Sequence, residues 1–251
     1  MSLGHAVLLL VAGFLGGAMN AIAGGGSFAT FPAMIFAGLP SVMANASSTV
    51  ALLPGAVASA WEYRRDLRPV GGIGLIPMLA VSIAGGLTGA LLLLHTPSHA
   101  FDVMIPWLLA LASLAFLYGR PAGVWLRRYL RIRPGPVLAV QFALGIYGGY
   151  FGGAVGIMMM AVWNLLESVE LKALNPVKVI MVIAANAIAV VCFILAGVVV
   201  WPATLIVLIA AALGGYVGAR LGRYLPARLV RGAVLCVTFG MTAVFFWRVY
   251  G

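Results

Sequence analysis

Acidic side chains are almost missing from this chain. Glu62, Asp66, Asp102, Glu167 and Glu170 are the only five in 251 residues, and all sit near the ends of apolar segments. A simple proton relay through buried carboxylates is therefore not expected. Charge of either sign is scarce, at 8% of residues, against about 25% in soluble domains. Hydrophobic residues reach 64% and the mean hydropathy is +1.13. A soluble domain of this size has no use for so much apolar surface. The chain reads as an all-α, polytopic membrane protein with no room for a soluble domain. Cysteine is also rare. Cys192 and Cys236 each lie inside an apolar segment without metal-ligand or redox spacing, and read as small buried hydrophobes. Catalytic signatures are absent too: there is no Walker motif, H-E-x-x-H or G-x-S-x-G. Gly24-x-Gly26 lacks the strand and the acidic residue of a dinucleotide fingerprint. No nucleophile–base pair can be named, so an enzyme is not expected, and no cofactor or metal is implied.

What is present is apolar segments, glycine and arginine. The net charge of +10 sits in loops, which fits the positive-inside bias of membrane proteins rather than nucleic-acid binding. Ten apolar segments can be drawn, at roughly 5–23, 27–38, 42–61, 72–94, 103–118, 137–156, 157–166, 179–197, 202–219 and 230–247. The polar stretch around 119–136 reads as a loop. Segments 27–38 and 157–166 are shorter than the about 17–25 residues a spanning helix needs. Each follows a glycine break, so they read as half-helices or arms of re-entrant hairpins. No Lys or Arg precedes the first apolar run, which reads as part of the mature protein rather than a signal peptide.

The two sets of segments repeat. Gly13-Phe-Leu-Gly-Gly resembles Gly145-Ile-Tyr-Gly-Gly, 132 residues on, and Asn45 aligns with Asn175, 130 on. Gly85-Gly-Leu-Thr-Gly-Ala90 resembles Gly214-Gly-Tyr-Val-Gly-Ala219, 129 on, and Pro97 falls on Pro226 at the same offset. Residues 1–118 and 135–251 thus read as two related halves joined by a basic linker, 119–134. Loops 62–69, 119–136 and 220–231 are arginine-rich, whereas loop 95–102 has no Lys or Arg and loop 198–201 no charge. Loop 62–69 is then inside while its partner 198–201 is outside, and loop 95–102 is outside while 220–231 is inside. The halves point in opposite directions, with both chain ends outside. Solute sites of inverted-repeat transporters lie near the midplane between the repeats.

The stretch that attracts function runs from Gly13 to Ser27. Three glycines, Gly24, Gly25 and Gly26, interrupt a membrane helix, each costing about 1 kcal/mol relative to Ala. Non-helical backbone inside a membrane is tolerated where it is buried in protein or lines a cavity. Ser27 is placed to cap the half-helix that follows, and its N-terminus would favour an anion. The second half offers Gly148, Gly149, Gly152, Gly153 and Gly156. The competing reading is packing, since 13/17, 85/89, 145/149, 152/156 and 214/218 all have small-xxx-small spacing. Packing is preferred at 85–89 and 214–218, and the site at 24–26. Asn45 reads as a helix cap, with Ser47, Ser48 and Thr49 adding hydroxyls at the same level. Its partner is Asn175-Pro-Val-Lys178, with Pro176 fitting a first helical position. Lys178 either neutralises an anionic substrate or snorkels to the surface near Glu167, Glu170 and Lys172. Among Asn20, Asn164 and Asn186, Asn20 is nearest the break and is the preferred site residue; helix–helix hydrogen bonding is the reading for the others. Trp61, Trp107, Trp201 and Trp247 fit an aromatic belt.

In order and spacing, these motifs resemble the sulfite exporter TauE/SafE family. The resemblance rests on Gly13-Phe-Leu-Gly-Gly through Ser27, Pro32 and Ala44-Asn-Ala-Ser-Ser-Thr49. In the second half it rests on Gly145-Ile-Tyr-Gly-Gly-Tyr-Phe-Gly-Gly, Trp201-Pro202, Gly214 to Leu221 and Leu225-Pro-Ala-Arg-Leu229. It covers nearly the whole chain. The second half departs from the pattern: the break is Gly152-Gly-Ala-Val-Gly156 before Met158, and Lys178 replaces a small hydroxyl residue. The resemblance implies a bacterial inner-membrane transporter of sulfite, organosulfonates or related small oxyanions, working by alternating access. A passive anion channel and a non-transporting membrane scaffold are the alternatives. The expected partners are a small anionic substrate and the lipid bilayer, with no nucleic acid. A coupling ion such as H+ and a homodimer stay open. Residues 24–27 and 45–49 with Asn20 would form one side of the site. Gly152, Gly153, Gly156, Asn175 and Lys178 would form the other.

Overall fold

The computed structural model describes residues 2–22, 25–63, 69, 72–126, 134–153, 155–156, 158–159, 163, 171–221 and 227–251. Among them lie nine helices. They are α1 (Leu3–Ile22), α2 (Ser27–Phe36), α3 (Ser41–Tyr63), α4 (Leu75–His95), α5 (Ser98–Leu126), α6 (Pro134–Phe151), α7 (Leu171–Leu195), α8 (Trp201–Leu221) and α9 (Ala227–Tyr250). Helices dominate because lipid offers no partner to a free backbone N–H or C=O. Seven of the nine are long and apolar enough to cross a membrane, so the protein is an all-α, multi-pass membrane protein. Large apolar side chains such as Leu3, Ile76 and Leu195 point outward and are at least 80% exposed in the isolated chain. That exposure is unfavourable in water and suits a lipid-facing surface. Cys236 also faces outward, unlike the buried position expected for it, and Cys192 is half-buried.

Several boundaries differ from the segments drawn above. α5 runs on to Leu126, so residues 119–126 are helical rather than loop. Its 29 residues span about 43 Å, more than the about 30 Å hydrocarbon core, which leaves its last turns for the headgroup layer. α6 stops at Phe151, five residues short of the expected end. α7 starts at Leu171, which puts Pro176 inside the helix instead of at its first position. α3 starts at Ser41, so Asn45 is inside the helix and does not cap it. The carbonyl of Pro40 takes the cap's place and accepts from Ala44 N at 2.8 Å. α2 has only 10 residues, about 15 Å, half a membrane. In the second short segment, 157–166, only 158, 159 and 163 are described, all helical, as are 155 and 156 just before it. Most of the basic residues in the loops, together with Glu167 and Glu170, lie outside the described residues; Lys172 is part of α7, but its side chain is outside the description.

The helices interleave. The most extensive contacts join α1 to α8 and α4 to α6; α3 packs on α8, α7 on α4, α3 on α7, and α5 on α9. Exchanging α1, α3, α4 and α5 for α6, α7, α8 and α9 in order leaves these pairings unchanged. Glycines set the two closest crossings. A Cβ at Gly13 would stand 2.8 Å from Ala210 Cβ, and one at Gly218 would stand 2.6 Å from Ala18 Cα. A Cβ at Gly17 would collide with the Ala211 carbonyl, and one at Gly214 with that of Phe14. Across α4 and α6, a Cβ at Gly85 would lie 2.5 Å from the Phe142 carbonyl oxygen, and those at Gly89 and Gly149 would collide with the Ile146 and Gly86 carbonyls. Backbones this close gain dispersion contacts that hydrophobicity cannot supply inside lipid.

Two buried clusters flank the centre. One is aromatic: Phe31 stacks on Phe245 and meets Phe101 and Phe151 edge-on. The other is built on Met78, Met159, Trp163 and Met181 around the fully buried Gln141. There Gln141 Nε2 donates to Ser82 Oγ at 2.9 Å and Trp163 Nε1 donates to Gln141 Oε1 at 3.1 Å. Each polar atom so placed avoids the cost of burial without a partner. This network ties Trp163, in the second short segment, to α4 and α6.

Candidate functional site

The first break lies between α1 and α2. Gly25 and Gly26 are buried there, and Gly24 lies outside the described residues. Ser27 does not cap α2 as expected. Gly26 occupies the cap position with helical geometry (φ −59°, ψ −31°), and no side chain caps it. The reason is space. A Cβ at Gly26 would lie 3.0 Å from Asn20 Cβ and would run into the Gly16 carbonyl on α1. The turn closes on itself instead: Phe28 N donates to Gly25 O at 3.1 Å and Thr30 N to Gly26 O at 3.2 Å. Ser27 is left half-buried as the first residue of α2. Half-buried Asn20 lies against this break.

The polar cluster on α3 spreads around the helix. Asn45 Nδ2 donates to Tyr150 O at 2.9 Å, at the end of α6. Ser47 Oγ accepts from Val200 N at 2.9 Å, just before α8. Ser48 Oγ and Thr30 Oγ1 share a 2.6 Å hydrogen bond, and Thr30 also donates to Gly26 O. Thr49 Oγ1 donates to Asn45 O at 2.9 Å. Ser47 and Ser48 are thus engaged away from Thr49.

The second break begins where α6 ends. Gly152 has φ +71°, the left-handed conformation that closes a helix and favours glycine. A Cβ at Gly152 would lie 3.0 Å from Thr49 Oγ1, and one at Gly153 would lie 3.2 Å from Ser27 Oγ. The backbone of the second break therefore faces hydroxyls of the first half. A Cβ at Gly156 would meet Lys178 Cδ and Val182 Cγ2 at 3.1 Å each. The aliphatic stem of Lys178 thus lies across Gly156. Asn175 is part of α7, but its side chain is outside the description, as is Asn164. Asn186 lies two turns beyond Lys178 on α7, and its Oδ1 is buried without a hydrogen-bond partner among the described residues.

The structure thus sets Gly153 against Ser27, Gly152 against Thr49 and Gly156 against Lys178, with Gly25 and Gly26 in the turn before Ser27 and Asn45 bracing the join. Thr30 and Phe151 belong to the same neighbourhood and were not singled out in the sequence. Thr30 lies one helical turn from Ser27, a spacing that would have flagged it. Hydroxyls, glycine backbone and one ammonium can donate to an anion. Among the described residues no group of three His, Cys, Asp or Glu could hold a metal ion.

Comparison with known proteins adds the ancestry. A "probable membrane transporter protein" of Haemophilus influenzae is 30% identical over 241 residues, 94% of this chain and 92% of its own. YfcA of Escherichia coli, a "probable membrane transporter protein", is 26% identical over 246 residues, 98% of this chain and 90% of its own. ORF9 of a Sinorhizobium species, with the same description, is 31% identical over 157 residues, 61% of this chain and 58% of its own. No solved structure matches. The family profile described as sulfite exporter TauE/SafE matches residues 9–245. With the match running through both glycine breaks and all nine described helices, the chain belongs to the TauE/SafE sulfite exporter family.

Proposed function

We propose that the protein is a secondary transporter of a small sulfur-containing anion, such as sulfite, an organosulfonate or a related oxyanion, across a bacterial inner membrane. The observation that carries this reading is the meeting of the two breaks, with Gly153 against Ser27 Oγ and Gly152 against Thr49 Oγ1. Broken helices that meet between two halves form the solute sites of many secondary transporters. In this reading the halves are inverted repeats, both chain ends are outside, and access to the site alternates. The exchange-symmetric helix pairings support the repeat. The names of the relatives support transport.

The roles divide by chemistry. Ser27 and the backbone at Gly25–Gly26 and Gly152–Gly153 supply hydrogen bonds that a desolvated oxyanion needs. Lys178 supplies the charge. Thr49 positions Asn45 and the second break. The test is flux of radiolabelled sulfite in proteoliposomes, compared with binding by thermal shift. Lys178→Ala and Ser27→Ala should each lower saturable flux while leaving membrane insertion intact. Unchanged flux in both variants defeats the site. Current through single open channels without counterflow favours a passive channel instead.

A further inference from the structure

A cleft of about 240 Å³ opens at the end of the bundle where α5 begins and α9 ends. Ile35, His99, Asp102, Val103, Phe245 and Arg248 line it. Its titratable and charged groups are thus one guanidinium, one carboxylate and one imidazole. Among the described residues Arg248 and Asp102 make no ion pair. The guanidinium instead stands 5.8 Å over the Phe36 ring. Both charges remain available to a ligand.

The floor of the cleft is aromatic and leads to the glycine breaks. Phe245, 2% exposed, stacks on Phe31 with centroids 6.1 Å apart and planes at 10°. Phe31, 1% exposed, meets Phe151 edge-on at 5.6 Å. The Phe151 ring in turn lies 2.8 Å from where a Cβ at Gly153 would be. Three buried rings in series, Phe245, Phe31 and Phe151, therefore separate the cleft from the second break. Phe31 sits on α2, one turn beyond Ser27, so the same short helix carries a site hydroxyl and the central ring of the seal.

We propose that this cleft is the outer mouth of the solute path: a small oxyanion is received at Arg248, and Phe31 closes the way to the paired breaks in this conformation. The proposal rests on the transport reading above, with the start of α5 and the end of α9 on the outer side. A mouth must attract its ion without holding it. Arg248 supplies the attraction. Asp102, in the same cleft, opposes it with one unit of like charge and keeps the anion weakly bound. The two residues should then act with opposite signs.

The experiment uses right-side-out vesicles and labelled sulfite. Arg248→Gln should raise KM and Asp102→Asn should lower it, each about threefold, the Boltzmann factor for a unit charge at about 6 Å in water. High salt should shrink both shifts. A second arm replaces Cys192 and Cys236 with serine and adds Val103→Cys. A membrane-impermeant cationic thiol reagent applied outside should then lower flux relative to the same vesicles before treatment. Sulfite in excess should slow the labelling. Shifts of the same sign, no shift in either variant, no labelling, or labelling without effect on flux each overturn the mouth. Failure of the transport reading looks different: wild-type vesicles would give no flux above empty ones. If the wild type transports, Lys178→Ala does not and labelled Val103→Cys does, the central site stands and only the mouth is lost.

Discussion

Alanine substitutions at three glycines separate packing from function. At Gly17 an added Cβ would stand 2.6 Å from Ala211 Cα and would collide with the Ala211 carbonyl. Ordinary carbon contacts are about 3.5–4 Å, so α1 and α8 must part by about 1 Å at that crossing. The obstructing atoms are backbone and cannot rotate away. Overpacking of this kind costs about 1–3 kcal/mol. Gly240, in the middle of α9, is the control, because an added Cβ there meets nothing within 4 Å. Its replacement by alanine should gain about 1 kcal/mol from helix propensity. The propensity gain is common to both helices and cancels, so the two variants should differ by the overpacking cost, roughly 1–3 kcal/mol. Gly153→Ala is a third case. Its obstacles are the Phe151 ring at 2.8 Å and Ser27 Oγ at 3.2 Å, both side chains that can move. Stability should fall less than for Gly17→Ala, yet both groups at the break are displaced and flux per folded protein should drop. Thermal unfolding in detergent and flux in proteoliposomes, run on the same preparations, measure both. If Gly17→Ala matches Gly240→Ala in stability, the packing argument is wrong. If Gly153→Ala transports at the wild-type rate, the break is not the site.

Other outcomes follow from the hydrogen bonds. Asn45→Ala strips the Tyr150 carbonyl of its 2.9 Å donor and should cost about 1–3 kcal/mol, read as a lower unfolding temperature. Gln141→Leu leaves Trp163 Nε1 and Ser82 Oγ without their partner. It should cost a similar amount, on the order of 1–3 kcal/mol; a tryptophan emission spectrum and an unfolding curve both like wild type would count against the network.

Much of the fold was legible because lipid simplifies the problem. A membrane segment is apolar along its length, so its existence shows in composition. Its ends do not. α5 continues through Arg120 to Leu126 and α7 starts at Leu171, because a helix continues into the headgroup layer, where charge is no penalty. The two breaks were legible as glycine runs. The repeat set them on two sides of one site, but which side chains touch across it was not legible, since that depends on how the second half is set against the first. Ser27 was misread as a cap because Gly16, which leaves no space beside Gly26, is ten residues away in sequence and adjacent only in space. The cluster from Asn45 to Thr49 was read as one polar level. Successive helical residues are about 100° apart, so Ser47, Ser48 and Thr49 reach Val200, Thr30 and Asn45 in turn.

The glycine contacts also bear on what can move. Between α1 and α8, and between α4 and α6, glycine backbone lies directly on backbone. Each of these pairs joins one helix from residues 1–118 to one from residues 135–251. Rocking one half rigidly against the other would drag both crossings past atoms that leave no space for a methyl group. If access alternates, the line of motion therefore does not divide the chain at its linker. The short elements are held differently. α2 is pinned by backbone contact at Gly26 against Gly16, while its far end rests on aromatic rings. The second break touches Ser27, Thr49 and Lys178 through side chains alone, and side chains can change rotamer without separating helices. Gly26 is then the pivot. If access alternates, α2 and the break at Gly152–Gly153 are the elements left to move against a frame of α1, α8, α4 and α6. Packed interfaces switch between discrete arrangements rather than deforming continuously, and backbone lying on backbone leaves this frame little room to shift. The glycines that look alike in sequence therefore do different work: those at 13, 17, 85, 89, 145, 149, 214 and 218 press backbone against the opposing helix, and those at 152, 153 and 156 are crowded most closely by side chains, which can move.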